Sequence, residues 1–386
     1  MAQSERIEPQ YATAGLGLVL PAAAARLGVT GAADVLGWGT LHTSPRAVVV
    51  ALIDGLGRNL LTERAGHAPY LRSLQRRGDA SVVGELTVGF PTTTATSLAS
   101  FGTGAPPGRH GVVGYDVLDT ARDRIVNQLT WPDDLDPVTW QPLPTVFERA
   151  AADGVAVVRV GPKAFAASGL TRAALRGGRY VVAKTLQDRV NATLREVRGA
   201  DRVLAYLYWE GLDRVGHDKG CESAEWTAQL EDVDAALARL AAGLPAGALL
   251  AVTGDHGMLD ISLSARIDLA ARPDLRAGVR ISGGEPRAVY LWPERGRRQE
   301  VVNRWRDALG EAFDLITRED AVAAGWFGAA PIGAHLERAG EVIALARQAT
   351  IIVDSSRQRT EVKTLIGWHG GLSPDEALVP LLVDAR

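Results

Sequence analysis

The chain has 386 residues, 46% hydrophobic and 23% charged, with a formal net charge of −3. That is enough to bury a large globular core, and the charge balance offers no basic surface for a nucleic-acid duplex. One cysteine, Cys221, excludes an internal disulfide framework and a cysteine-based metal site.

Residues 1–15 are polar and lack the positive-then-apolar pattern of a signal peptide. No stretch reaches the ~18 uninterrupted apolar residues of a membrane span. The expectation is a cytoplasmic protein without a membrane partner; oligomeric state is not encoded in these features. Residues 47–53 (AVVVALI) are a short, continuously apolar, β-branched run, the pattern of a parallel strand covered on both faces. Residues 59–77 carry Leu60, Leu61, Leu71 and Leu74 among charges and predict a helix. Residues 155–160 and 202–209 predict further strands, with an amphipathic helix at 185–198 between them. Residues 222–244 predict a helix opened by Ser223 and Glu225 and ended near Gly243. Residues 248–253 predict another strand. Strands alternating with helices imply an α/β fold, a doubly wound, mostly parallel sheet with helices on both faces. From 260 to 365 the rhythm breaks. This stretch holds a predicted helix at 300–313 and β-like runs at 287–292 and 350–353, and is expected to be a smaller α+β subdomain or lid inserted in a single domain spanning 1–386. Residues 377–383 return to the core pattern.

In open α/β sheets, ligands bind beyond the carboxyl ends of the strands. Asp54 follows the 47–53 run, Asp255 and His256 follow 248–253, and Asp213 and His217 come just after 202–209. Each has a bland role open to it. An aspartate after a strand can cap a helix, Asp213 and His217 can pair across one helical turn, and His369 in GWHGG can pack on Trp368. Together, however, Asp54, Asp213, His217, Asp255, His256 and His369 supply three groups to each of two ions. Carboxylate and imidazole are ligands of zinc and similar ions. Three carboxylates against two dications leave a net positive site suited to an anion. The segment PTTTATSLASFGTGAPPGRHG starts with hydroxyl residues and passes into a helical pattern. A hydroxyl at a helix start lies beside unpaired N–H groups that can hold a phosphoryl oxygen, and a metal ion can activate it as a nucleophile. Capping the helix is the alternative for Thr92, Thr93, Thr94 and Thr96. Lys163, Lys184, Arg280 and Arg287 are cations whose place relative to the site sequence leaves open.

The motifs IDGLG, the threonine-rich segment with TGAPPGRHG, LDRVGH, GDHGM and WHGG occur in this order from Val48 to His369. Here the chain resembles the alkaline phosphatase superfamily, in its nucleotide pyrophosphatase/phosphodiesterase branch. The resemblance implies Thr94 as nucleophile, in a P-T-x-T pattern nine residues before Thr103-Gly104, with Thr92 and Thr93 close by in the same run. It implies Asp213, His217 and His369 as ligands of one ion, and Asp54, Asp255, His256 and Thr94 as ligands of the other. The implied activity is two-metal hydrolysis of a small, nucleotide-like phosphate ester through a phospho-threonine intermediate, the metal being zinc. Ala95, Thr96 and Ser97 stand where that branch usually has phenylalanine, proline and a phosphoryl-binding asparagine, which leaves Ser97 as the substrate-binding candidate. Other activities of the superfamily remain alternatives: phosphomonoester or phosphonate hydrolysis and phosphosugar transfer. So does a non-catalytic metal-binding protein.

Overall fold

The computed structural model describes residues 6–41, 44–77, 82–357 and 364–385. Residues 1–5 of the polar start and 358–363 of the expected insertion lie outside the described residues.

The principal strands are, in chain order, β1 (Ala47–Ile53), β2 (Glu85–Thr87), β3 (Asp116–Asp119), β4 (Arg124–Asn127), β5 (Ala156–Gly161), β6 (Arg179–Val182), β7 (Val203–Trp209), β8 (Ala248–Thr253), β9 (Val279–Glu285), β10 (Ala288–Pro293), β11 (Phe313–Thr317), β12 (Val342–Ala346) and β13 (Leu378–Ala385). Seven build the central sheet in the order β2–β13–β8–β1–β7–β5–β6. Neighbours from β8 through β6 are parallel. The run at 377–383 becomes β13, antiparallel to both β8 and β2, so the sheet is mostly parallel.

Helices cover both faces. α1 (Arg58–Glu63) and α2 (Pro69–Arg77) replace the single helix expected at 59–77. Pro69 lacks the N–H an uninterrupted helix needs and starts the second one instead. α3 (Thr94–Thr103), α4 (Leu186–Arg198), α5 (Gly211–Lys219), α6 (Ala224–Gly243) and α7 (Arg298–Leu309) follow. Thr185 and Asp188 form a capping box on α4, and the Ser223 hydroxyl accepts from Trp226 N–H at the start of α6. Gly310, at φ +55°, ends α7 short of the expected position 313. Along β1, Val48, Val50 and Leu52 face a layer that includes Ala95 and Phe101 of α3. Ala47, Val49, Ala51 and Ile53 face Val190 of α4 and Leu230 and Leu237 of α6. Burial on both faces is what the continuous apolar run encodes. No helix among the described residues is long and apolar enough to cross a membrane.

A second, antiparallel sheet runs β11–β12–β10–β9–β3–β4. Four of its strands come from residues 279–346 and two from 116–127. Its helix α7 packs Val301 and Trp305 into a separate apolar cluster.

Candidate active site

Register places the site. Ile53 lies opposite Trp209, and Leu52 opposite Thr253, so the residues just after β1, β7 and β8 emerge at one level of the sheet edge. The Asp54 N–H donates to Trp209 O at 2.9 Å, and the Asp213 N–H donates to Asp54 O at 3.1 Å. Gly55 has φ +74°, and a Cβ there would sit 3.0 Å from Asp213 Cα. Glycine therefore lets α5 close down on Asp54. On α5, Asp213 and His217 face each other across one turn, Nε2 to Oδ1 at 3.4 Å.

The six expected ligand residues come together. One group holds Asp213, His217 and His369, and a second Asp54, Asp213 and His256, with ligand atoms within 4.8 Å of one another in each. Asp213 belongs to both. Asp255 joins the second group through Oδ2, 3.6 Å from His256 Nε2, while its Oδ1 accepts from Gly55 N–H at 3.1 Å. His256 and His369 stack with ring centroids 3.7 Å apart.

The donor set fits divalent cations. Asp54 Oδ1, Asp213 Oδ1 and Asp255 Oδ2 are buried without a hydrogen-bond partner among the described residues, an arrangement that costs free energy unless something positive satisfies it. All three histidines donate Nδ1–H to a backbone carbonyl: His217 to Gly367 (2.8 Å), His256 to Gly257 (3.1 Å) and His369 to Thr92 (2.8 Å). That tautomer turns each Nε2 lone pair inward, the habitual outer support of a metal-bound imidazole. Electrostatics agree. Burial, then the neighbouring Asp255 and Asp213, push the Asp54 carboxyl well above its usual range. Burial, then His256 and His217, hold His369 well below its own.

The threonine run divides its hydroxyls three ways. Thr92 is buried; it donates to Gly371 O (2.9 Å) and accepts from Gly370 N–H (3.0 Å), clamping the His369 loop. Thr93, buried at the N-cap of α3, makes no side-chain cap hydrogen bond. Thr94, half-buried at the start of α3, sets its Oγ1 3.1 Å from His256 Nε2. Ser97 lies one turn further along α3, fully buried, its Oγ without a partner among the described residues.

Other neighbours escaped the sequence reading. Tyr208 of β7 donates its hydroxyl to Asp54 Oδ2; alternation along a strand buried on both faces does not reveal which side chain leans to the site. Glu285, at the end of β9, is buried, and that burial pushes its carboxyl well above the usual range. Of the four cations, Arg280 pairs with exposed Asp123, and Lys163 and Lys184 are exposed. Arg287 is buried in a two-pronged ion pair with Glu376 (2.6 and 2.9 Å). Glu376 also accepts from Gly371 N–H at 2.7 Å, so the pair braces the His369 loop. Replacing Arg287 with Met strands a buried carboxylate and is expected to cost about 3–5 kcal/mol. Urea unfolding measures it, and a loss below about 1 kcal/mol contradicts the brace.

The family model for type I phosphodiesterase / nucleotide pyrophosphatase matches residues 48–372. Among solved structures, murine ectonucleotide pyrophosphatase / phosphodiesterase 5, an inactive variant in complex with AMP, is similar at a TM-score of 0.68 and 21% identity, over 87% of each chain. Its human counterpart gives 0.67 and 20%, also over 87% of each. Phosphonoacetate hydrolase from Sinorhizobium meliloti, in complex with phosphonoformate, gives 0.66 and 20%, over 88% of this chain and 90% of that one. At these identities the structural likeness speaks for the fold.

Proposed function

The chain belongs to the type I phosphodiesterase / nucleotide pyrophosphatase family, and from that premise we propose that it cleaves small phosphodiesters through Thr94 at a two-metal centre. It is a hydrolytic enzyme acting on phosphoric esters; the diester preference, the threonine and the metals are the proposed part. The observation that carries the reading is the Thr94 hydroxyl, 3.1 Å from His256 Nε2, beside three buried carboxylate oxygens with no partner among the described residues.

Asp213, His217 and His369 would hold one ion, and Asp54, Asp255 and His256 the other, with Thr94 beside the second. The mixed carboxylate–imidazole set favours zinc. Divalent ions there would draw negative charge from the phosphoryl group and favour the ionised form of the threonine hydroxyl. Thr94 Oγ gives up its proton and attacks phosphorus in line with the leaving oxygen. The new bond makes a phospho-threonine that keeps the second ester group, as the other ester bond breaks and its oxygen leaves as the alcohol with the proton passed on through solvent; water then hydrolyses the intermediate, returning a proton to Thr94 and releasing the monoester. The first-turn N–H groups of α3 hold a phosphoryl oxygen throughout.

A monoester dianion calls for an additional cation, and Arg280 and Arg287 are already paired. This supports the diester. AMP bound to the murine relative supports a nucleotide-like group on one side of the phosphorus. Bis-p-nitrophenyl phosphate is therefore expected to turn over at least about tenfold faster, by kcat/KM, than p-nitrophenyl phosphate. The opposite order, or a preference for phosphonoacetate, would move the reading to another branch of the superfamily. A preparation that binds ions but cleaves none of the three would favour a non-catalytic metal-binding protein.

A further inference from the structure

The start of α5 is held from outside the candidate site. Glu210 is the N-cap residue of α5, yet its side chain caps no helix N–H. Its carboxylate goes instead to Arg189 of α4, Oε2 to Nη1 at 2.6 Å and Oε1 to Nη2 at 3.0 Å. The Arg189 side chain is fully buried. Its Nη1 also donates to Tyr208 O at 2.6 Å, its Nε to Ala183 O at 3.2 Å and its Nη2 to Lys184 O at 3.3 Å. A guanidinium has five N–H donors, and these bonds use them all. Its Cζ lies 4.6 Å from the centre of the Trp209 ring. One side chain thus ties the residues that leave β6 to the end of β7 and the start of α5. A buried ion pair often adds little net stability over apolar side chains of similar volume. What this one fixes is backbone, and the backbone it grips carries the site. Tyr208 donates its hydroxyl to Asp54 Oδ2. Trp209 O accepts from Asp54 N–H at 2.9 Å, and Asp54 O accepts from Asp213 N–H at 3.1 Å.

We infer that Arg189 is a positioning residue for the metal centre: by anchoring residues 208–210 it sets the spacing between the Asp54 and Asp213 carboxylates. None of its hydrogen bonds goes to a ligand side chain. It acts through Tyr208, Trp209 and Glu210, which lie between it and both aspartates. A bound ion tolerates only about 0.2 Å of error in its ligand distances. A small drift of residues 208–210 therefore spoils the ligand geometry at Asp54 and Asp213 together, without removing any ligand. The inference deepens the two-metal reading given above and rests on it.

The test measures zinc affinity of the full chain by competition with a chromophoric chelator, alongside kcat, KM and the urea midpoint of the metal-free form. Arg189→Met is expected to weaken binding of at least one zinc ion about tenfold to hundredfold, the usual effect of losing an outer support. kcat falls with it, while KM changes less than about threefold. The variant also strands the Glu210 carboxylate, so its urea midpoint drops. The Arg189→Met/Glu210→Met double variant removes the stranded charge and recovers most of the urea midpoint. It does not restore the grip on residues 208–210, so its zinc binding stays weak. A purely structural pair would return zinc affinity together with stability in the double variant, and that result overturns the inference. Parental zinc affinity in a folded Arg189→Met variant overturns it as well. If the single variant does not fold, the double variant decides alone. The parent protein separates the two levels. If it binds two zinc ions and the variants bind them equally well, only the role of Arg189 falls; if the parent binds no zinc, the two-metal reading falls and takes this inference with it.

Discussion

Thr94→Ala is expected to lower kcat by on the order of 10⁴-fold while the protein stays folded and keeps about two ions per chain. The residue sits at the first position of α3, half-buried, and its loss removes one methyl and one hydroxyl at a place where alanine is a good helix former. The fold has little reason to respond. The chemistry would, because the proposed covalent step runs through the hydroxyl that lies 3.1 Å from His256 Nε2. Thr92 is committed to Gly370 and Gly371. Residual turnover would come from water attacking a phosphoryl group still held by the charged site and the helix end. Thr94→Ser, which keeps an oxygen in place, is expected to retain a measurable part of the activity. Stopped-flow turnover of bis-p-nitrophenyl phosphate together with metal analysis decides it. A Thr94→Ala enzyme within about tenfold of the parent would remove this threonine from the nucleophile's role.

The same stretch marks how far sequence could be read. The central strands were legible because burial on both faces leaves no polar alternation: β1 and β8 occupy the predicted 47–53 and 248–253. The residues of the candidate site were legible because aspartate and histidine next to glycine at strand ends are conspicuous. That they meet depends on register, Ile53 opposite Trp209 and Leu52 opposite Thr253, which sequence leaves unstated. Interactions between distant segments stayed hidden. Nothing near Arg287 in the chain points to Glu376, 89 positions away, and a lone arginine in an apolar stretch reads the same whether it binds an anion or closes a buried pair. Glu285 was invisible for a related reason. Its approach to the His369 loop, where a Cβ on Gly370 would meet Glu285 Cβ at 2.6 Å, joins segments far apart in the chain. Two helix boundaries lay within reach of a local rule: Pro69 stands in the middle of the expected 59–77 helix, and Gly310 stops α7 before the expected 313.

Asp213→Ala is expected to damage the centre more than His217→Ala, and to reduce bound metal from about two ions to less than one. His217 takes part in one ligand group, whereas Asp213 belongs to both. Its Oδ1 lies 3.4 Å from His217 Nε2 and 3.9 Å from His369 Nε2, with no hydrogen-bond partner among the described residues. Removing that carboxylate subtracts a negative charge from between the two groups, so each ion loses attraction and the repulsion between dications goes uncompensated. His217→Ala withdraws one neutral donor from one group and leaves the charge count intact. The ion beside Asp54, Asp255 and His256 should then persist, along with weak activity that added zinc partly restores. For Asp213→Ala, zinc should restore little, with kcat/KM down on the order of 10⁴-fold or more. Metal content after dialysis and zinc titration of activity tell the two variants apart. Equal metal loss in both would mean that Asp213 serves a single ion, and the idea of a carboxylate shared between the two groups would have to be given up.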